Sequence, residues 1–217
     1  MPARKPLGSA RHIVVEGPIG VGKTSLARRL GAHLEAQLLL EQPELNPFLS
    51  RFYQDQRRYA LQTQLFFLFQ RLDQLGDLSQ PDFFTRTVVA DYLLEKDPLF
   101  ALLTLNEDEY TLYRKIYDHI SPQMASPDLV IYLQARPETL IARVRKRGID
   151  MERKISDAYL TVLAESYTRF FHNYDAAPVM VVNSENLNFV DKDDDFHLLV
   201  QRIELMRSHR EYFNRGE

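Results

Sequence analysis

The stretch from Gly17 to Ser25 constrains the fold of this chain more than any other. It fits the pattern G-x-x-x-x-G-K-[ST], a glycine-rich loop that holds phosphates, and it reads Gly17-Pro18-Ile19-Gly20-Val21-Gly22-Lys23-Thr24-Ser25. An apolar run at 13–15 precedes the loop, and a helix-compatible run at 25–30 follows it. The sequence therefore predicts a strand, a loop whose residues bind a nucleotide, and a helix, in that order.

The residue types of this loop match what a phosphate requires. Backbone N–H groups must curl around the anion, and the three glycines of the pattern remove the Cβ atoms that would block this approach. The following helix points its positive N-terminal end at the anion. Lys23 supplies a charge for the outer phosphates, and the Thr24 hydroxyl can ligate Mg²⁺.

Bulk properties exclude several classes of function. The chain has 217 residues, a formal net charge of −3 and no cysteine, which excludes disulfides, thiolate catalysis and cysteine-ligated zinc. No broad basic field predicts a nucleic-acid or membrane partner, and no apolar run approaches the roughly 20 residues of a membrane span. Residues 1–11 are basic without an apolar signal core. We therefore expect a soluble cytoplasmic protein with a flexible N-terminus at 1–11.

Short apolar runs alternate with helical patterns along the rest of the chain. We predict five strands at 12–16, 38–41, 87–91, 129–133 and 179–183. Helices are predicted at 23–36, 57–78, 108–120, 137–148 and 156–173, with one more near the C-terminus. The helix at 57–78 is apolar nearly all round, so it should be buried on several sides or form a subunit interface. This alternation is typical of an α/β domain, here 12–217, with a parallel sheet covered on both faces by helices.

Two of the predicted strands that follow the glycine-rich loop end in an acid. Parallel sheets bind ligands at the carboxyl ends of their strands, and Glu41, Asp91 and the glycine-rich loop all follow such ends. Phosphoryl transfer needs a group that takes the proton of the acceptor, and we assign this role to Glu41. Asp91 is placed to hold Mg²⁺ or its water ligands.

A basic run lies at the end of the helix predicted at 137–148. Arg143 and Arg147 are four residues apart and share a face, whereas Arg145 and Lys146 point elsewhere. We expect a closing flap to bring the pair onto the transferring phosphate, where planar guanidinium groups stabilise the developing charge.

Taken together, these motifs resemble the deoxyribonucleoside kinase family, and in particular its bacterial deoxyadenosine/deoxyguanosine kinase branch. The glycine-rich loop, Glu41 near Pro43, the segment at 46–55 and the arginines of the basic run occur in the family's order. The resemblance implies the P-loop kinase fold with a lid at about 143–155. It also implies ATP and Mg²⁺, transfer to the 5′-hydroxyl of a deoxynucleoside, and a homodimer.

The resemblance also assigns residues that bind the acceptor. Tyr53 falls where a tyrosine binds the sugar 3′-hydroxyl, and Glu152 falls on the lid glutamate that holds the same hydroxyl. Gln64 falls where a glutamine hydrogen-bonds the base. Arg71 falls where an arginine helps read the base in members that accept purines or cytosine, so deoxyadenosine, deoxyguanosine or deoxycytidine is the expected substrate.

Three departures from the family pattern affect these assignments. The arginine expected after Asp91 is Tyr92, a further lid arginine is Ile149, and Gln42 separates Glu41 from Pro43. Lys96 is a candidate replacement for the missing positive charge. By its spacing Asp97 would contact the base, although a shift of one residue is also compatible, and Phe100 is a candidate to stack on the base.

Alternative functions remain open at this stage. A nucleoside monophosphate kinase of the thymidylate type would need extra basic residues around the acceptor phosphate, for which Arg51 and Arg71 could serve. A GTP-dependent switch protein is a second alternative, since residues 73–76 match D-x-x-G, but they fall inside a predicted helix and no N-K-x-D follows. An inactive nucleotide-binding partner is a third, because Tyr92 replaces an arginine.

Overall fold

A computed structural model of the chain describes Leu7 and residues 10–78, 87–120 and 126–215. Most of the predicted flexible N-terminus at 1–11 lies outside the described residues. Of its described members, Leu7 and Ala10 are buried against the core. The backbone N–H of Arg11 donates to the Asp128 carboxylate at 2.7 Å.

The described elements alternate between strands and helices. The strands are β1 (His12–Glu16), β2 (Gln37–Leu39), β3 (Val88–Ala90), β4 (Leu129–Gln134), β5 (Val179–Asn183) and β6 (Arg210–Phe213). The helices are α1 (Lys23–Leu34), α2 (Leu49–Phe52), α3 (Gln56–Leu78), α4 (Asp97–Thr104), α5 (Glu107–Ile120), α6 (Pro137–Arg147), α7 (Asp157–Asn173) and α8 (Asp193–Glu204). Short 3₁₀ turns occupy Pro43–Leu45, Leu94–Lys96 and Asp150–Lys154.

The strands form one parallel sheet in the order β2-β3-β1-β4-β5-β6. The α/β class and the parallel sheet were predicted, and both are confirmed. Side chains alternate between the two faces: Ile13 and Val15 pack on one face, with α1 and α8, whereas Val14 packs on the other, with α7. Both faces of the central strands are therefore buried, as continuous apolar strands require.

The structure adds a sixth strand to the five predicted. β6 extends the sheet at the edge of β5, and its residues are only partly buried or exposed, with Tyr212 64% exposed. Because β6 (Arg210–Phe213) lacks a buried apolar run, periodicity could not detect it. At the opposite edge, β2 is three residues long and Leu38 is 38% exposed, so this strand is less buried than its composition predicted.

The helix α4 was also missed by the sequence prediction. It begins at Asp97, with Pro98 at its first turn, and it packs Leu99, Phe100 and Leu103 against the sheet. A proline in the first helical turn followed by apolar residues is a start signal that could have revealed it. Helix α1 ends two residues earlier than predicted because Glu35 adopts a left-handed conformation, φ +49°.

The long helix α3 forms a separate layer with α4 and α5. Leu68 of α3 packs with Leu94, Ala101 and Tyr113. The neighbouring Phe69 is 49% exposed. In the part of the chain that the structure describes, no helix is both long enough and apolar enough to span a membrane.

Candidate functional site

Three neighbouring strands direct their carboxyl ends into one site. Leu39 of β2 pairs with Ala90 of β3, and Ala90 pairs with Val14 of β1. The segments that follow are those of Glu41, Asp91 and the glycine-rich loop. The predicted convergence of these three strand ends is therefore present, and the strand order explains it.

The glycine-rich loop packs so tightly that two of its glycines have no room for a side chain. A Cβ at Gly17 would lie 2.3 Å from the carbonyl oxygen of Leu133. Gly20 has φ +87°, and a Cβ there would lie 2.8 Å from Val144 Cγ2 and 2.9 Å from the carbonyl oxygen of Leu140. The loop is therefore held between β4 and α6, which fixes the direction of its backbone N–H groups.

Replacing Gly20 with alanine is expected to lower the free energy of unfolding by about 1–3 kcal/mol, because the new methyl group clashes with α6 and the backbone is strained. Binding of ATP should weaken as well, since the loop must shift to relieve the clash. Denaturant unfolding and ATP titration measure the two effects.

Gly76 is the matched control for this substitution. A Cβ there meets nothing within 4 Å, and Gly76 lies within the helix α3. Gly76→Ala should raise stability by roughly 0.5–1 kcal/mol through helix propensity and leave ATP binding unchanged. Equal losses of stability in the two variants would contradict the account of the loop.

Asp91 connects the loop to the residue proposed as the base. One carboxylate oxygen of Asp91 accepts a hydrogen bond from the Thr24 hydroxyl, and the other accepts one from the backbone N–H of Glu41 at 2.7 Å. Burial raises the pKa of Asp91, and its hydrogen bonds from Thr24 and Glu41 oppose that rise. A hydroxyl and a carboxylate side by side are oxygen ligands of the kind that Mg²⁺ takes together with substrate phosphates and water. The pair therefore fits the predicted metal role.

Lys23 is folded back onto its own loop. Its Nζ donates to the carbonyl oxygen of Gly17 at 2.8 Å. Burial lowers the pKa of Lys23, while the carboxylates of Glu16, Glu41 and Asp91 oppose that effect. The side chain thus lies among negative charges at the end of the sheet.

A second buried lysine lies next to this group. Lys96 Nζ is 3.2 Å from the carboxylate of Glu16, and both side chains are at most 3% exposed. The ammonium also lies over the Phe100 ring, 4.7 Å from its centroid, and the Tyr167 ring, at 5.8 Å. Lys96 therefore brings a positive charge to the junction of β1, α4 and α7.

Glu16 is the residue on which these contacts depend. It is fully buried, accepts from the backbone N–H groups of Gly17 and Leu93 at 2.8 Å each, and accepts from the Tyr167 hydroxyl at 3.0 Å. Sequence reasoning missed Glu16 and Tyr167. An acid directly before the first glycine of the loop was the available signal. A charge at the end of a buried strand is costly unless it is paired, so such an acid indicates partners.

Arg71 bridges two carboxylates from different elements. Its guanidinium donates to Glu41 Oε1 and to Asp97 Oδ1, and its side chain is 6% exposed. Burial opposes the ionisation of Glu41, but Arg71, Lys96 and Lys23 outweigh it and hold the pKa of Glu41 at about 2. Burial raises the pKa of Asp97 to about 6 despite its contact with Arg71.

Tyr53 and the predicted lid lie at the other side of the same space. Arg147 forms a two-pronged ion pair with Glu152, with N–O distances of 2.5 and 2.6 Å from Nη2 and 3.1 Å from Nε. Burial raises the pKa of Tyr53, and the nearby Tyr159, Glu152 and Glu41 act in the same direction. The Tyr53 hydroxyl therefore keeps its proton and can donate it in a hydrogen bond.

One cavity of about 320 Å³ unites most of the predicted site. Its lining includes the predicted residues Ile19, Gly20, Gly22, Lys23, Thr24, Ser25, Glu41, Tyr53, Gln64, Arg71, Asp91, Phe100, Arg147 and Glu152. Gln64 donates to the Thr104 hydroxyl at 3.3 Å. Asp97 is absent from this lining and meets the cavity through Arg71. Unpredicted lining residues include Thr63, Phe67, Met151 and Tyr159.

Arg143 is placed apart from this cavity. Its guanidinium donates to the carbonyl oxygen of Ser184 at 2.7 Å and to the Ser184 hydroxyl at 3.0 Å. It lines a second cavity of about 670 Å³ on the other side of the loop, together with Arg147 and the segment 185–192. Of the predicted lid pair, Arg147 therefore reaches both cavities, and Arg143 only the second.

Comparison with known proteins identifies the family. The family model described as deoxynucleoside kinase matches residues 13–206. The chain belongs to the deoxynucleoside kinase family. This confirms the resemblance inferred from the motifs, and with it the P-loop kinase fold and the class of enzyme, a kinase that phosphorylates deoxynucleosides.

Curated relatives and solved structures agree with this membership. Deoxyguanosine kinase of Bacillus subtilis is 33% identical over 204 residues, which cover 91% of this chain and 98% of the relative. Deoxyadenosine kinase of Lactobacillus acidophilus is 31% identical, with 82% and 87% covered. The structure of deoxyadenosine kinase from M. mycoides with bound dATP superposes with a TM-score of 0.76 at 26% identity, covering 88% of this chain and 98% of that one.

Proposed function

We propose that this deoxynucleoside kinase transfers the γ-phosphate of ATP to the 5′-hydroxyl of deoxyadenosine, deoxyguanosine or deoxycytidine. The observation that carries the proposal is the single cavity in which phosphate-loop residues, Glu41, Tyr53, Gln64 and Arg71 meet. Solved relatives from M. mycoides contain dATP in one case and the products dCMP and dCDP in another, which supports a nucleotide donor and a nucleoside acceptor here.

The donor half of the site is the glycine-rich loop. Its N–H groups and Lys23 would hold the β- and γ-phosphates, and Thr24 and Asp91 would hold Mg²⁺. When bound, the metal supplies charge neutralisation between the phosphates.

Lys96 adds a positive charge near the reacting atoms, in place of the arginine that Tyr92 replaces. Arg147 lines both cavities, so it can reach the transferring phosphate if it leaves Glu152. Arg143 would have to leave Ser184 to join it.

The acceptor half supplies the base and the contacts to the nucleoside. Glu41 takes the proton of the 5′-hydroxyl while the hydroxyl oxygen bonds to the γ-phosphorus. The bond from that phosphorus to the β,γ-bridging oxygen breaks at the same time, leaving ADP. Tyr53 and Glu152 would hold the 3′-hydroxyl. Gln64 and Arg71 would read the base edge, with Phe100 stacked on it and Asp97 holding Arg71.

The test of this function is a panel of the four common deoxynucleosides with ATP and Mg²⁺, read by formation of the 5′-monophosphate. We expect turnover of at least one of deoxyadenosine, deoxyguanosine and deoxycytidine, with thymidine the poorest acceptor. Preference for thymidine would contradict the role of Arg71. Absence of turnover with every nucleoside would overturn the proposal.

Replacing Tyr53 with phenylalanine should weaken recognition of the sugar. Loss of one neutral hydrogen bond is expected to lower kcat/KM for a 2′-deoxynucleoside by roughly 3- to 10-fold. The 2′,3′-dideoxynucleoside should be affected much less, because it lacks the hydroxyl that Tyr53 would contact. Tyr212→Phe, at a position that is 64% exposed, is the control and should change neither value. Equal losses with both acceptors would contradict the assignment.

The GTP-switch alternative loses its structural basis. Residues 73–76 lie inside α3 (Gln56–Leu78), where Gln74 donates to the carbonyl oxygen of Leu40 at 3.2 Å. A helical segment cannot act as a switch loop that wraps a γ-phosphate.

The helical layer of α3, α4 and α5 supports the predicted homodimer. Phe69, Leu102 and Leu112 are 49%, 63% and 48% exposed on these three helices. Large apolar side chains on neighbouring helices favour burial against a second copy. Sedimentation would show whether the chain is a dimer. A cytoplasmic location also stays a prediction.

A further inference from the structure

We propose that Arg71 couples recognition of the nucleobase to the release of Glu41, so that an acceptor without a base is not phosphorylated efficiently. The inference rests on the proposed function and adds a step to it. Arg71 would act as a positioning residue: its guanidinium stays paired with the general base, Glu41, until a nucleoside binds.

The first observation is that Arg71 binds one of the two oxygens of the carboxylate that the reaction needs. Its guanidinium donates to Oε1 of Glu41, which is the group assigned to take the acceptor proton. A carboxylate oxygen that carries a guanidinium is less able to accept the 5′-hydroxyl proton. Proton transfer to Glu41 should therefore be faster once Arg71 has moved away from it.

The second observation is that Arg71 has another carboxylate to move toward. Its other terminal nitrogen donates to Oδ1 of Asp97, the first residue of α4. The rings of Phe67 and Tyr92 flank the guanidinium, with centroids 5.2 and 5.7 Å away. The guanidinium can thus shift its hydrogen bonds from Glu41 to Asp97 while it stays between the two aromatic rings.

The third observation is a pair of unsatisfied polar atoms beside this pivot. Within the described part of the chain, Nε of Arg71 and Oδ2 of Asp97 are buried and have no hydrogen-bond partner. Buried polar atoms without partners are costly, so a ligand that offers both an acceptor and a donor would favour a rearranged Arg71–Asp97 pair. The edges of adenine, guanine and cytosine each place an acceptor and a donor side by side, whereas the hydroxyls of the sugar would be held by Tyr53, Glu152 and Glu41.

Together these contacts explain how the enzyme would avoid wasting ATP. Water and base-free sugars would not hold a donor and an acceptor side by side against Arg71 and Asp97, so Arg71 would stay paired with Glu41. A nucleoside would allow Arg71 to leave Glu41, because its base supplies the missing partners. Specificity for the base would then show in kcat as well as in KM.

The test compares acceptors with and without a base in the variant Arg71→Met. With 1,2-dideoxyribose or water as acceptor, turnover of ATP should rise by roughly 10-fold over the unsubstituted enzyme, since one charge-assisted hydrogen bond to Glu41 is removed. With a purine deoxynucleoside, KM should rise. The gain must disappear when Glu41→Gln is added.

Arg58→Met is the matched control, because Arg58 lies on the same helix, over Tyr59. Its truncation should leave the turnover of ATP with base-free acceptors unchanged.

A second variant keeps the test valid if the lone substitution unfolds the chain. Arg71→Met combined with Asp97→Asn leaves no unpaired carboxylate at position 97 and should show the same gain. Base-free turnover at or below the level of the unsubstituted enzyme in the folded double variant would overturn the coupling. If the unsubstituted enzyme phosphorylates no deoxynucleoside, the proposed function itself fails, and that result is distinct from a failure of the coupling.

Discussion

The variant Glu41→Gln is expected to lose kcat by roughly 10²- to 10⁴-fold, the usual contribution of a positioned general base. Glutamine has the same shape and keeps an oxygen for Arg71, but it cannot take a proton from the 5′-hydroxyl. Binding of the deoxynucleoside should therefore persist. Steady-state kinetics measure the first effect, and calorimetric titration of the nucleoside measures the second.

Glu44→Gln is the matched control for this experiment. Glu44 lines the same cavity from the exposed 3₁₀ turn Pro43–Leu45. The same chemical change at its rim should leave kcat unaltered. Full activity of Glu41→Gln, or an equal loss in both variants, would contradict the assignment of Glu41 as the base.

The variant Lys96→Met is expected to lower kcat by roughly 10²- to 10³-fold, because it removes a buried positive charge from the cavity in which the transferring phosphate would lie. It should also destabilise the fold by about 3–5 kcal/mol, since Glu16 is then buried without its partner. The lysine would thus have both a structural and an electrostatic role, and these need separate readouts.

Adding Glu16→Gln to Lys96→Met separates the two roles. The neutral pair restores a balanced interior, so stability should recover toward the original value while kcat stays low. Denaturant unfolding and single-turnover kinetics give the two readouts. Recovery of kcat together with stability would mean that Lys96 only neutralises Glu16.

Much of the fold was accessible from the sequence because it depends on local patterns. The strands β1, β3, β4 and β5 are short apolar runs, and each was placed to within one or two residues. The exceptions have physical reasons. β6 is stabilised by parallel pairing with β5 and by Arg210, which donates to the carbonyl oxygens of Phe171 and Tyr174, so its own residues carry no strand pattern.

Most residues of the candidate site could be predicted from the sequence, but the contacts between their side chains could not. Glu41 and Asp91 follow strand ends, so their meeting with the glycine-rich loop could be predicted from the topology of a parallel sheet. The contact of Arg71 with Glu41 could not, because the two residues lie 30 positions apart and meet only where α3 lies against the segment after β2, at which Gln74 donates to the carbonyl oxygen of Leu40. Glu16 was missed because its value as an acceptor depends on Tyr167, 151 residues away.

The central claim is that Glu41 faces a nucleoside hydroxyl rather than a nucleotide phosphate. The most direct test offers each deoxynucleoside and its 5′-monophosphate as separate acceptors, with ATP carrying a labelled γ-phosphate. We predict labelled monophosphate from a purine deoxynucleoside or deoxycytidine, and no labelled diphosphate. Labelled diphosphate from a monophosphate, with no product from any nucleoside, would contradict this claim and favour a kinase of the thymidylate type.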